Sequence, residues 1–299
     1  MNELKMRKLA IIPGTGASAL RNLIVGSETV DTYFGRVKVD FILNAKGEEC
    51  IIVNKHNEDE GGHALLPSEI NFRAIFLALK MLGVTQVVSI SMAGTLQSYY
   101  SEAIVIPTDI INFGSEKNNT FFGQDGIGKI YYVDISNPFC ALHTKYVSWL
   151  EGLSNEGFKI VQRHGAHERS ERPLMHVRTT GPHFETPATI EFYRKAIGAS
   201  TISMSLYPEV ALARELNFCY SAVIVIANLA AGLQKTVTQE EVYRVASEKM
   251  LRVINTIMNA EYEEHEHPTH EGERLLLEFI SSQENVQSQG VANIRKLGG

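Results

Sequence analysis

Cysteine is scarce in this chain of 299 residues. The three present, Cys50, Cys140 and Cys219, are odd in number and far apart, and no CxxC pair occurs. That pattern excludes a disulfide framework and the usual paired-cysteine zinc motif, and it points to a reducing, cytoplasmic setting. Long apolar runs are missing too. The opening MNELKMRKLAIIPGTG has a basic start but only Leu9-Ala10-Ile11-Ile12 before Pro13-Gly14, too short for a signal-peptide core, and no other run is long enough to span a bilayer. Basic residues are in the minority, 28 Lys and Arg against 34 Asp and Glu, for a net charge of −6 with no basic cluster. A nucleic-acid or anionic-membrane partner is therefore not expected. What is plentiful is core material: 44% of residues are hydrophobic and 21% charged, enough for one large α/β domain or two small ones.

Apolar runs alternate with amphipathic stretches, which predicts strands and helices in turn around a largely buried sheet. Strands are expected at 8–12, 50–53, 87–90, 103–107, 201–204 and 222–227. The run 87–90 is expected to enter a small-residue turn, Ser91-Met92-Ala93-Gly94-Thr95. Helical spacing of Ile70, Ala74, Leu77, Ala78 and Met81 predicts a helix over 67–82 stopped by Gly83. Further helices are expected at 210–216 and 240–260. Residues 112–129, rich in Gly and Asn, read as a long loop of the kind that carries function. The domain is expected to span 1–260. Residues 261–299, with one possible helix at 274–280 and a Gln/Ser/Asn/Gly tail, read as a C-terminal extension.

Four strings offer chemistry, each with a plainer alternative. Gly14-Thr15-Gly16-Ala17-Ser18 follows a strand and fits either an anion-binding turn or an ordinary turn. A dinucleotide fingerprint fits it only formally, because no acidic strand end lies at the required distance. Lys55-His56, directly after a strand, suits an anion site or a solvated charged loop. His56 and His63 with Glu58, Asp59 and Glu60 lack the fixed spacing of metal ligands, so no metal is expected. The stretch from Thr180 to Pro187 places Phe184 beside Glu185 between prolines, which suits a stacking face with an acceptor, or a stiff connector. Asn228 ends an apolar strand; its amide donates and accepts, which suits a purine edge or a turn.

The order of these strings is more specific than any one of them. IIPGTGAS, KH, HALLPSEINFRAIFLALKMLGVTQVVSISMAGTL, YVDISNPFC, TTGPHFETPATIEFYRKAIGASTISMSLYPEVALARE and ANLAAGL together resemble the trimeric purine nucleoside phosphorylase and methylthioadenosine phosphorylase family over roughly residues 8–260. The resemblance implies a single α/β domain with a mixed, twisted central sheet flanked by helices. It implies a homotrimer, or a hexamer made of two trimers, acting on a purine nucleoside with inorganic phosphate as co-substrate and no cofactor. It assigns phosphate to Thr15, Lys55, His56, the backbone at Met92 and Ala93, and Ser205. It sets Met204 against the ribose, Phe184 on the base, and Glu185 and Asn228 at the base edge, and has Tyr132 cap the sugar pocket of a neighbouring subunit. His56, Glu185 and Asn228 are the residues expected to carry catalysis.

Phosphorolysis passes through a ribosyl cation-like state while negative charge builds on the departing purine, so phosphate must sit under the sugar and the base must be stabilised as it leaves. A neutral Asn228 and the carboxylate of Glu185 favour a 6-oxopurine, whose N1 carries a proton. The adenine-preferring branch has Asp at the position of Asn228 and another nearby, where this chain has Ala230. Lys55 replaces an Arg, losing its planar fork. Ala227 replaces a hydroxyl residue, and Gln239 replaces a His that often meets the 5′-hydroxyl. Two alternatives therefore stand beside the main reading. One is a methylthioinosine or methylthioadenosine phosphorylase, suited by Val237; the other is a non-catalytic relative that binds nucleoside or phosphate, motivated by Lys55 and the acidic loop.

Overall fold

The computed structural model describes residues 6–59, 62–114, 118–140, 149–162, 173–261 and 267–282. Eleven strands form one mixed sheet. Its centre is four parallel strands in the order β4 (Glu49–Ile52), β1 (Met6–Pro13), β5 (Gln86–Thr95) and β11 (Cys219–Leu229). Their side chains are almost continuously apolar and buried, as parallel strands covered on both faces require. An antiparallel hairpin, β2 (Ile24–Thr32) and β3 (Gly35–Leu43), extends one edge through β4. On the other side β11 pairs with β6 (Ile104–Val105), which pairs with β8 (Ile160–Val161). The far end of β5 pairs antiparallel with β10 (Thr201–Ser203), which leads to β9 (Met175–Arg178) and β7 (Asp109–Asn112).

Helices cover both faces. On one side α1 (Phe72–Met81) and α4 (Glu209–Glu215) pack with β1, β4 and β5 around Phe76, Phe218 and Tyr220. On the other, α2 (Trp149–Asn155) and α5 (Gln239–Asn259) bury Leu153, Met250, Ile254 and Ile257; α3 (Pro187–Phe192) packs separately, burying Ile190 beside Ile202. α1 begins later than its spacing predicts. Asn71 caps it by accepting from the Ala74 N–H at 3.1 Å, and Pro67–Glu69 is a separate 3₁₀ turn. The C-terminal α6 (271–282) is docked: Leu276 lies in the same core as α1, and Glu273 pairs with Lys80 at 2.7 Å. Among the described residues no helix is long and apolar enough to cross a membrane.

One local expectation is corrected. Ser91 to Thr95 is not a turn, because β5 runs straight through it with β11 alongside to Leu229. The small residues there let strands pass on both sides. Residues 113–129 are a loop, as expected, with no helix or strand among those described, and the loop is packed against the core. Phe121, Phe122 and Ile127 are buried, and Glu215 grips it by accepting from Thr120 Oγ1 at 2.6 Å and the Phe121 N–H at 2.8 Å. Residues 115–117 lie outside the described residues.

Beneath the ends of the central strands lies a buried ion pair. Lys55 Nζ is 2.7 Å from Glu209 Oε1, and neither side chain has any exposed surface. The second carboxylate oxygen of Glu209 accepts from Ser89 on β5 and from Tyr220 Oη on β11, the latter at 3.2 Å. One carboxylate thus ties the loop after β4, two sheet strands and the start of α4. Breaking a buried pair by removing one partner costs about 3–5 kcal/mol, because the other charge is left unpaired. Lys55→Met should therefore lower the unfolding free energy by about that much in urea titrations, and adding Glu209→Gln should recover most of the loss. Equal stability of the single and double variants would contradict the pairing.

Candidate functional site

The parallel strands β1, β4, β5 and β11 all end on the same side, and a cavity of about 320 Å³ opens there. This is where open α/β sheets place ligands. The turn after β1 contributes Thr15. That turn passes so close to β5 that a Cβ on Gly14 would sit 3.0 Å from the Ile90 carbonyl oxygen. Gly16 has φ +98° and lies against Ala246 and Met250 of α5, so a side chain there fails on both conformation and space. The loop after β4 contributes His56, β5 contributes Met92, Ala93 and Gly94, and β11 contributes Asn228. The ladder between β5 and β11 shifts register between Ile226 and Asn228. Such an irregularity re-aims the residue beside it, here Asn228. Phe184, Glu185, Met204 and Ser205 complete the lining from the segments before α3 and after β10.

Nine of the eleven residues expected in the site are thus brought to one cavity. Lys55 and Tyr132 are not. Lys55 and His56 are the central residues of a tight turn closed by the Asn57 N–H to the Asn54 carbonyl at 3.0 Å, and the turn sends Lys55 into the core and His56 to the cavity. Tyr132 is 89% exposed and lines no part of the cavity of its own chain. Among the described residues that line the cavity none is Lys or Arg.

His56 is 4% exposed and stacks face to face on His63, with ring centroids 3.8 Å apart and planes 5° from parallel. Burial, then the charges of Lys55 and His63, push its pKa down to about 3, so the ring is neutral in the physiological range. Its Nδ1 lies 3.2 Å from the Leu65 carbonyl oxygen. A carbonyl only accepts, so the proton sits on Nδ1 and Nε2 is left as an acceptor.

The acidic loop that follows does not face the cavity with all its charge. Glu58 turns its carboxylate into the glycine-rich turn, where both oxygens accept from the Gly16 N–H at 3.0 and 2.8 Å. The Ser18 N–H and hydroxyl donate to Oε1 at 3.2 and 2.7 Å, and His63 Nε2 lies 3.1 Å from Oε2. Burial raises the pKa of Glu58, but the bonds from His63, Ser18 and Gly16 outweigh it and hold it below the ordinary carboxylate value. The turn's anion-holding amides are therefore occupied by an anion of the chain itself.

Behind Ser205 lies a polar relay that sequence reasoning missed. The Ser205 N–H donates to Ser203 Oγ at 3.1 Å, and Ser203 Oγ is 3.0 Å from His176 Nε2 and 3.2 Å from Ser91 Oγ. His176 Nδ1 is 2.9 Å from Thr201 Oγ1, and burial pushes this histidine to about 3 as well. Also unforeseen were His63, Leu66, Val242 and Tyr243 in the cavity wall; Tyr243 Oη accepts from the His63 N–H at 2.9 Å. Nothing short of the fold joins residues 180 positions apart. Elsewhere in the lining, Glu185 Oε1 accepts from Thr179 Oγ1 at 2.6 Å, and Asn228 Nδ2 donates to the Leu229 carbonyl at 2.7 Å. Each keeps one further polar atom or hydrogen for a ligand.

The sequence profile described as "Phosphorylase superfamily" matches residues 8–259. The chain belongs to the phosphorylase superfamily. A probable S-methyl-5′-thioinosine phosphorylase of Methanopyrus kandleri is 32% identical over 84% of this chain and 91% of its own length. A probable 6-oxopurine nucleoside phosphorylase of Dictyoglomus turgidum is 34% identical over 82% of this chain and 88% of its own. A methylthioadenosine phosphorylase from Schistosoma mansoni, solved with adenine, shares the fold with a TM-score of 0.71 at 24% identity, covering 86% of this chain and 91% of its own. The superfamily's mixed sheet and single-domain architecture are those described above.

Two buried neutral histidines give this phosphorylase-superfamily chain a signature in acid. His56 and His176 titrate near 3 when folded and near 6.5 when unfolded. Between those values the unfolded chain binds more protons, so stability falls as pH falls, by about 1.4 kcal/mol per pH unit for each histidine. Glu215, pushed up to about 7 by burial, acts with the opposite sign between 4.5 and 7. The clean readout is thus the difference between wild type and His176→Gln in urea at pH 6.5, 5.5 and 4.5. The wild type should lose about 1.4 kcal/mol more per unit than the variant; parallel pH curves would show that His176 is not held neutral.

Proposed function

We propose that the chain cleaves the N-glycosidic bond of 6-oxopurine nucleosides with phosphate, releasing the free base and ribose 1-phosphate. The observation that carries this reading is that Glu185 and Asn228 line the same cavity as Thr15, His56, Met92, Ala93 and Ser205. Relatives named as 6-oxopurine nucleoside phosphorylases support it. Phosphate is the co-substrate and no cofactor is required. The enzyme is cytoplasmic and works as a homotrimer or hexamer in which Tyr132, so exposed in one chain, meets the sugar pocket of the next. Residues 1–260 form the catalytic domain and 261–299 its extension.

In this reading the phosphate cradle is neutral. Hydrogenphosphate brings its own O–H, which Nε2 of His56 accepts, while Thr15, Ser205 and backbone N–H groups donate to its other oxygens. Held under the sugar, the anion attacks C1′ as the glycosidic bond breaks and electrons pass to the purine. Asn228 donates to N7, where negative charge builds, and the free oxygen of Glu185 accepts from N1–H. Phe184 covers the base and Met204 the ribose.

A second reading concerns the 5′-end alone. Val237, Val242 and Leu66 line the cavity with Gln239 and Tyr243. That apolar wall suits a 5′-methylthio group, and relatives named S-methyl-5′-thioinosine phosphorylases combine that group with a 6-oxopurine.

Adenine presents a bare N1 to Glu185, acceptor against acceptor. A buried unpaired polar group costs about 1–3 kcal/mol, or roughly tenfold to a hundredfold in discrimination. The specificity constant for inosine should exceed that for adenosine by about that margin, and methylthioinosine should likewise exceed methylthioadenosine. Asn228→Asp should move both ratios toward the 6-amino compounds, because a protonated Asp donates to N7 while its other oxygen accepts from the amino group. A wild-type preference for the adenine member of either pair would remove Glu185 and Asn228 from the base edge. No phosphorolysis of any of the four compounds would favour a non-catalytic binding protein.

A further inference from the structure

Away from the cavity, where the C-terminal extension meets the sheet, Cys140, Cys219 and His267 bring two thiols and an imidazole together, with one ligand atom of each within 4.8 Å of the other two. Cys140 and Cys219 are buried and His267 is partly exposed. None of the three cysteines is in a disulfide. We propose that these three residues form a structural site for a divalent zinc-class ion, which fastens the C-terminal extension to the sheet.

The chemistry of the donor set selects the ion. Two sulfurs and one imidazole nitrogen are soft to borderline ligands, matched to Zn²⁺ and unsuited to Mg²⁺ or Ca²⁺, which take oxygen. A tetrahedral zinc with bonds of about 2.3 Å to sulfur and 2.0 Å to nitrogen spaces its ligand atoms about 3.5–3.8 Å apart. The three atoms lie within about 1 Å of that spacing, a shift that side-chain rotation can supply. The fourth position falls to a water on the side where His267 reaches solvent.

The backbone holding these ligands is fixed from three directions. The Cys140 N–H donates to the Tyr220 carbonyl at 2.7 Å, which sets Cys140 beside the first residue of β11. The Cys219 N–H donates to the Thr85 carbonyl at 2.9 Å. Asn217 Nδ2 donates to the His267 carbonyl at 3.1 Å and to Glu273 at 2.9 Å, so one side chain holds both the candidate ligand's backbone and α6. His270 adds a contact of 2.8 Å to the Arg214 carbonyl oxygen. Segments at 140, 219 and 267, distant in sequence, are joined at one point. Zinc there closes long loops of the chain, and the energy of binding becomes energy of folding for the extension.

Binding proceeds as two thiols plus M²⁺ giving the metal dithiolate plus two protons.

The test uses the untagged full-length chain, stripped with a chelator under reducing conditions and titrated with Co²⁺ as a coloured probe, then with Zn²⁺ in competition. One Co²⁺ per chain should bind and give a thiolate-to-cobalt charge-transfer band, which Zn²⁺ abolishes, and Zn²⁺ should raise the Tm. Cys219→Ser should remove the band. His267→Gln, at a partly exposed position that the fold tolerates more readily, should weaken Co²⁺ binding about tenfold or more. Cys50→Ser should leave the titration unchanged. A chain with no charge-transfer band at stoichiometric Co²⁺ would overturn the proposal. So would a band that survives both Cys219→Ser and His267→Gln, or freshly purified protein with Cys140 and Cys219 joined as a disulfide.

Discussion

A lysine and a glutamate, both without exposed side-chain surface, meet under the carboxyl ends of the central strands, and much of the site follows from that contact. Desolvating two charges is costly, and the attraction between them repays it only when the geometry is fixed and the spare lone pairs are satisfied. Ser89 and Tyr220 satisfy them. The loop after β4 is pinned as a result, with Lys55 facing inward and its neighbour His56 at the cavity. The same contact keeps the positive charge of Lys55 out of the cavity.

The glycine-rich turn shows the complementary constraint. Its amides and the Ser18 hydroxyl hold the carboxylate of Glu58, which also holds His63, on which His56 stacks. An acidic loop beside an anion site would be repulsive if its charge were loose. Here the nearest charge is absorbed by hydrogen bonds and faces away from the cavity wall. The cavity that remains presents hydrogen-bond donors and acceptors, with Glu185 as the single carboxylate among its described lining residues. Its polar specificity therefore rests on hydrogen-bond inventory more than on net charge.

The parts legible in the sequence were those encoded locally. Apolar runs marked β1, β4 and β11, and spacing marked α1 and α5. Phe184, Glu185, Met204 and Ser205 came as one site from the resemblance carried by the GPHFETPA and MSLYPEVALARE strings, and all four line the cavity. The failures were of another kind. Lys55 and His56 are adjacent, and nothing in the string says which side of the sheet each side chain takes. Ser91 to Thr95 read as a turn because small residues mark turns; here they mark a strand crowded on both sides. The hairpin β2–β3 escaped notice although Arg36-Val37-Lys38-Val39 alternates as a strand covered on one face should. The grip of Glu58 on Gly16, 42 residues away, and the His176–Ser203–Ser205 relay exist only in three dimensions.

The proposed cradle handles phosphate through a neutral histidine and without a lysine or arginine among its described lining residues. The most direct measurement is the initial rate of base release from inosine as phosphate is varied, for wild type and His56→Ala, with ribose 1-phosphate quantified alongside. Base release should require phosphate and match ribose 1-phosphate one for one. Loss of a hydrogen bond to a charged group, about 1.5–3 kcal/mol, should raise the phosphate requirement of His56→Ala roughly tenfold to a hundredfold while the nucleoside requirement changes little. Base release that continues undiminished without phosphate, or equal shifts in both requirements, would contradict it.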